Sequence, residues 1–241
     1  MCGIVGAVAK RNVVPILVDG LKRLEYRGYD SAGLAILNQD NVLERIRTKG
    51  KVVELENRIT DSVQGNLGIA HTRWATHSEP NEANAHPHIC ENTVSVVHNG
   101  IIENHEYLRE QQQKAGYKFT SETDTEVIAH EVYAWHVDKN LPLYDAVLEA
   151  LKKFEGAYAL GIISKNEPGR LIAARSGSPL VIGIGEDGYY IASDVAALLP
   201  VTRRFIFLED GDVADITTDS FKIFDADGKS VERPVTESKL T

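Results

Sequence analysis

Cysteine is scarce in this 241-residue chain: Cys2 and Cys90 are the only two. Such a pair cannot build a disulfide framework, so the chain reads as a cytoplasmic protein of a reducing compartment, stabilised by its core. Basic charge is also short. Lys and Arg total 26 against 35 Asp and Glu, a net charge of −9. A field of that sign repels phosphate backbones and anionic lipid, which argues against nucleic-acid and membrane-surface partners. No apolar run approaches the ~20 residues that span a bilayer, and the apolar stretch 4–9 is broken by Lys10 and Arg11. Internal repeats are absent, as are the HExxH and GxSxG motifs. What is present is ordinary globular composition, 43% hydrophobic and 25% charged. A chain of this length buries roughly 70–75% of its unfolded surface and needs neither metal nor disulfide to stay folded.

Periodicity predicts strands at both ends and helices between them. A strand at 3–9 precedes a helix whose Val14, Leu17, Leu21 and Leu24 share one face, ending at the turn 26–30. Paired strands follow at 31–37 and 42–48, then a short helix at 51–59 and strands at 67–71 and 93–98. Residues 72–91 have no usable period, and a connection that long inside a compact domain usually carries function. Helices are expected at 101–114 and 123–137, and Leu143, Val147, Ala150, Leu151 and Phe154 form a helical stripe. Short runs at 157–164, 170–175, 180–184, 189–192, 205–208, 213–217 and 221–224 read as antiparallel hairpins. The expected architecture is α+β, antiparallel sheets packed together with helices outside, in one domain over residues 1–225. The polar stretch 226–241 reads as a tail or linker leading out of the fold.

Cys2 carries the most chemical information. Once Met1 is removed, which a small second side chain favours, the thiol and a free α-amino group sit on one residue. An α-amine with a pKa of about 7.7 to 8.0 can take the proton of a thiol near 8.5 and later return it, so nucleophile and base coincide. The plain alternative is a start codon followed by a small buried hydrophobe. Asn99-Gly100 could offer a side-chain amide and a backbone N–H to an oxyanion, or be a tight Asn-Gly turn. Arg73, at the mouth of the long loop, could clamp an α-carboxylate through two parallel hydrogen bonds. Asp124 could hold an α-ammonium, or merely occupy the first turn of a helix opened by a Thr123/Glu126 capping box. Gly183 to Gly188 matches a dinucleotide fingerprint in letters, but a strand follows where a helix is required, so it reads as a hairpin turn. His86, His88 and Cys90, completed by His71, His77 or His98, would be the residues of a zinc site, but their spacing is loose and we expect no metal and no cofactor.

Taken together, three segments resemble the N-terminal-nucleophile glutamine amidotransferases: Met1-Cys2-Gly3-Ile4-Val5-Gly6, the run from Leu24 through Glu25-Tyr26-Arg27-Gly28-Tyr29-Asp30 to Gly33, and His71-Thr72-Arg73-Trp74-Ala75-Thr76-His77. Asn84 to His88, Val97 to Asn104, Ser121 to Glu126 and Ala174 to Leu180 extend the resemblance over essentially the whole chain. The Glu25 to Asp30 run points to the branch that converts fructose 6-phosphate to glucosamine 6-phosphate. The resemblance implies a four-layer α/β/β/α sandwich and hydrolysis of L-glutamine to glutamate and ammonia through a Cys2 thioester. It also implies an oxyanion hole of Asn99 and Gly100, substrate binding by Arg73 and Asp124, and a pocket shaped by Arg27 and Gly28. Trp74, Thr76 and His77 would belong to a loop that closes over glutamine. The implied partner is a sugar-phosphate isomerase half of the same polypeptide. Since the chain carries no such half, it is expected to be an excised domain that hydrolyses glutamine without making the amino sugar.

Overall fold

The computed structural model describes residues 2–74 and 78–240. Fifteen strands among them form two antiparallel sheets. The first sheet is built from β1 (Gly3–Ala9), β2 (Ser31–Leu37), β3 (Leu43–Lys49) and β4 (Leu67–Arg73), with β9 (Val181–Ile184), β10 (Gly188–Ala192), β11 (Arg204–Phe207) and β15 (Val235–Glu237). Its order is β15-β11-β9-β10-β1-β4-β2-β3. The second contains β5 (His88–Cys90), β6 (Val94–Ile102), β7 (Gly156–Ser164), β8 (Arg170–Ser176), β12 (Val213–Thr217), β13 (Phe221–Phe224) and β14 (Ser230–Val231), in the order β14-β13-β12-β8-β7-β6-β5.

Both sheets are covered on their outer faces. Helices α1 (Val14–Arg23) and α2 (Val52–Arg58) cover the first, and α3 (His105–Lys114), α4 (Thr125–Tyr133) and α5 (Leu143–Leu151) cover the second. The side-chain alternation of each strand divides the core accordingly. In β1, Ile4 and Val8 enter the layer between the sheets, while Val5, Ala7 and Ala9 face α1 and α2. In β7, Ala159 and Ile163 face the first sheet while Leu160 and Ile162 face α4 and α5. Because both faces are covered, β1, β2 and β4 are buried along their full length. They therefore read as continuous apolar runs rather than alternating ones. Each fully buried Val, Leu or Ile here contributes about 1.5–3 kcal/mol. The expected four-layer α/β/β/α sandwich is the architecture observed.

Two local expectations are corrected. Residues 101–102 do not begin a helix. β6 runs on through Asn99 and Gly100 to Ile102, paired residue for residue with β7, and α3 starts only at His105. The long ladder offered by β7 overrides the helical preference of the downstream sequence. Likewise the polar stretch 226–241 does not simply leave the fold. β14 adds to the edge of one sheet and β15 to the edge of the other, and between them Arg233 grips the fully buried Asp212 with two hydrogen bonds of 3.0 and 2.8 Å. Polarity misled here because edge strands face water.

Candidate active site

Cys2 immediately precedes β1, the strand held between β4 and β10. The antiparallel register sets Gly3 opposite Thr72, so the head of β1 meets the tail of β4. There the backbone N–H of Trp74 donates to Cys2 Sγ at 3.2 Å. Ser193, just after β10, fixes the other side, its hydroxyl accepting from Ile4 N–H at 2.9 Å and its N–H donating to Ile4 O at 3.1 Å. Burial pushes the thiol pKa up, and the Trp74 N–H and the Arg73 charge pull against that rise.

The second sheet supplies the facing group. Asn99 Nδ2 donates to Cys2 O at 3.1 Å, while Oδ1 lies 2.9 Å from His71 Nε2. The Asn-Gly pair is thus no turn but the middle of a strand. Gly100 has φ +114°, and a Cβ there would lie 2.3 Å from Ala157 O, so only glycine lets β6 keep this path.

Arg73, the last residue of β4, is buried; its guanidinium donates to Ser78 O and Glu79 O at 3.3 Å each and lies 3.8 Å from the Asp30 carboxylate. Asp124 is also buried and accepts from the N–H of Ile102 at 2.8 Å. The anticipated capping box does not form. Glu126 turns back instead to accept from Thr120 N–H and Ser121 N–H, and Thr123 Oγ1 meets His88 Nε2 at 3.0 Å. Those bonds brace the loop that carries Asp124, and no side-chain cap bond is made by Asp124 itself. Cys2, Arg73, Trp74, Gly100 and Asp124 line one cavity of about 30 Å³, with His86, His98, Thr123 and Thr125 completing its wall. Larger hollows lie beside α1 and α2 (about 460 Å³) and beside α3 and α4 (about 450 Å³), but neither contains a thiol.

The aperiodic loop is ordered by polar contacts rather than by apolar patterning. Arg47 of β3 donates to Ala83 O and Ala85 O, at 3.0 and 3.2 Å. Asn84 donates to Glu79 O and accepts from Glu122 N–H, both at 2.8 Å, joining the Arg73 side of the site to the Asp124 side. His86 stacks on His71 with ring centroids 3.9 Å apart. The residues of the zinc reading have other partners: His88 meets Thr123, and Cys90 Sγ lies 3.0 Å from His130 Nδ1. Among the described residues no three His, Cys, Asp or Glu converge as metal ligands.

Gly28 (φ +77°) packs against the Trp74 ring, where a Cβ would approach to 2.8 Å. Trp74 itself is half exposed. Thr76, His77 and the side chain of Arg27 lie outside the described residues. Sequence reasoning gave no role in the site to His71, His86, His98, Asp30 or Thr125. The histidines were visible only as zinc candidates, since nothing in spacing announces a side chain that supports another.

Residues 71–200 match the family model of the glutamine amidotransferase domain, and the chain belongs to that family. It is 59% identical over 235 residues to a glutamine–fructose-6-phosphate aminotransferase (isomerizing) of Pseudomonas putida, an alignment covering 97% of this chain and 38% of that protein. The same-named protein of Yersinia pseudotuberculosis is 56% identical over 241 residues, covering 100% of this chain and 39% of the relative. The chain therefore spans about two fifths of the length of the curated relatives it matches. Among solved structures, the glutamine phosphoribosylpyrophosphate amidotransferase of B. subtilis superposes with a TM-score of 0.79 at 27% identity, over 93% of this chain and 49% of the other. No helix among the described residues is long and apolar enough to cross a membrane.

Proposed function

We propose that this domain hydrolyses the side-chain amide of L-glutamine with Cys2 as nucleophile. The observation that carries the reading is the meeting of four side chains from separate elements: the Cys2 thiol at the head of β1, the Asn99 amide on β6, and the buried Arg73 and Asp124, which line one cavity with Cys2. After loss of Met1, the α-amine of Cys2 accepts the thiol proton as sulfur attacks the amide carbonyl. The oxyanion is met by Asn99 Nδ2–H and Gly100 N–H, each such donor contributing about 2.7–4 kcal/mol to the transition state. The amine returns the proton to departing ammonia, leaving a thioester that water cleaves to glutamate. Arg73 holds the substrate α-carboxylate and Asp124 its α-ammonium. Arg27 and Gly28 shape the pocket, and Trp74, Thr76 and His77 close over it.

The names and lengths of the relatives support extending the reading to a longer protein, which we place in the cytoplasm. In it, this domain, with the edge strands of residues 226–241 as part of its sheets, generates ammonia; the chain then continues to a sugar-phosphate isomerase half, where the ammonia converts fructose 6-phosphate to glucosamine 6-phosphate. The test is glutamate release from L-glutamine by chain whose intact mass shows loss of Met1. Release that vanishes in Cys2→Ala, while glutamine still binds, supports the reading. Binding without release from correctly processed protein would favour a glutamine-binding module. Chain that retains Met1 has an amide at Cys2 and should be nearly inactive.

A further inference from the structure

We infer that His71 is a positioning residue that fixes the polarity of the Asn99 amide, so that its NH2 end and never its oxygen faces the Cys2 side of the cavity. The inference rests on the reading of Asn99 as an oxyanion donor.

An asparagine amide is nearly symmetric in shape, and its two ends are told apart only by their hydrogen-bond partners. On one side of Asn99 the partner is the Cys2 carbonyl, an acceptor that a substrate oxyanion would compete with for the same NH2. On the other side stands His71, fully buried on β4, with Nε2 2.9 Å from Asn99 Oδ1 and 3.0 Å from His98 O. The backbone carbonyl can only accept, so Nε2 must carry hydrogen, and a hydrogen-bearing Nε2 demands an oxygen from Asn99. Burial, the largest influence, lowers the His71 pKa to about 3. The ring is therefore neutral, and with Nε2 protonated its Nδ1 is a bare lone pair. Among the described residues that atom is buried without a partner, and an orphaned acceptor is less rare than an orphaned N–H donor. His86, stacked on the ring at an interplanar angle of 10°, holds the plane of the imidazole.

Were Nε2–H removed, the amide could reverse and present Oδ1 to the developing oxyanion, turning attraction into repulsion. Ground-state binding through Arg73 and Asp124 would be untouched. His71 therefore acts on kcat and not on KM.

The experiment compares His71→Gln with His71→Asn in the Met1-processed chain. The Gln amide reaches the position of Nε2 and can donate to Asn99; the shorter Asn amide cannot, although its polarity is the same. Glutaminase kcat should stay within about fivefold of the parent for Gln and fall roughly 30- to 100-fold for Asn, each with KM within about threefold, and Asn99→Ala alone should lower kcat by about 10²-fold or more. The His71→Asn/Asn99→Ala double variant should be no slower than Asn99→Ala, because positioning has no effect once its object is gone. Equal activities of the Gln and Asn variants, or multiplicative losses in the double variant, overturn the inference. An Asn99→Ala variant of undiminished kcat would instead defeat the oxyanion reading itself.

Discussion

Acidification from pH 7 to 5.5 should weaken this fold by about 4 kcal/mol, through three histidines held neutral in the interior. His71 and His88 are fully buried and His86 nearly so. Burial, the first cause for each, lowers the His71 pKa to about 3 and places those of His86 and His88 well below the ordinary value of 6.5. In the unfolded chain each takes up a proton as pH drops through about 6.5, whereas the folded chain takes up none in this interval. Stability contributed by the neutral form is thus present above pH 6.5 and is lost as pH falls toward the folded pKa. Linkage gives on the order of 1 kcal/mol per histidine between pH 7 and 5.5, approaching 4 kcal/mol for three. Against a typical total of 5–15 kcal/mol that is a large fraction, equivalent to a fall of roughly 8–16 °C in Tm for a chain of this size. Glu126 responds lower on the scale. Its burial is outweighed by bonds from His130, Ser121 and Thr120, which hold its pKa near 2, so its contribution is lost only as pH falls below about 4.5. Urea unfolding followed by tryptophan fluorescence at half-unit pH steps measures the slope. A loss under about 1 kcal/mol across the interval would refute the neutral-histidine argument, and His71→Gln should remove about one third of the slope.

Arg73→Ala should raise KM for glutamine by about 10- to 100-fold with a smaller effect on kcat, as expected when charge-assisted hydrogen bonds to a bound carboxylate are lost; steady-state kinetics with unchanged KM would remove Arg73 from that role. Gly100→Ala should cost about 2–5 kcal/mol and abolish turnover, since the new Cβ meets Ala157 O at 2.3 Å in a backbone region disfavoured for side chains; a stable, active variant seen by thermal melting and glutamate release would contradict it. Arg233→Ala strands the buried Asp212 carboxylate and should cost about 3 kcal/mol. A near-neutral change in urea midpoint would show that the C-terminal stretch adds little to the fold.

Most of the strands and helices were legible in the chain because burial imposes period. The α1 stripe of Val14, Leu17, Leu21 and Leu24 is buried as read, and the hairpin at Gly185 to Gly188 closes with the Gly185 N–H on Gly188 O. The failures were places where a distant partner overruled local preference. β6 continued through Asn99-Gly100 because β7 lay alongside it, and the polar stretch after Asp225 became edge strands because two sheet edges were open to it. The Thr123/Glu126 spacing suggested a cap, but Glu126 found the Thr120 and Ser121 N–H groups and His130 instead.

The sequence by itself singled out Cys2, the Asn99-Gly100 pair, Arg73 and Asp124 as the residues of the proposed site, because each belongs to a short segment whose residue types are unusual together. Only the tertiary structure decided which groups support them. His71 lies 28 positions from Asn99 and His86 lies 15 from His71, and no local pattern links them. Their contact exists because β1 and β4 in one sheet meet β6 in the other across a buried layer, and hydrogen-bond direction in that layer is set by geometry in space rather than by spacing along the chain.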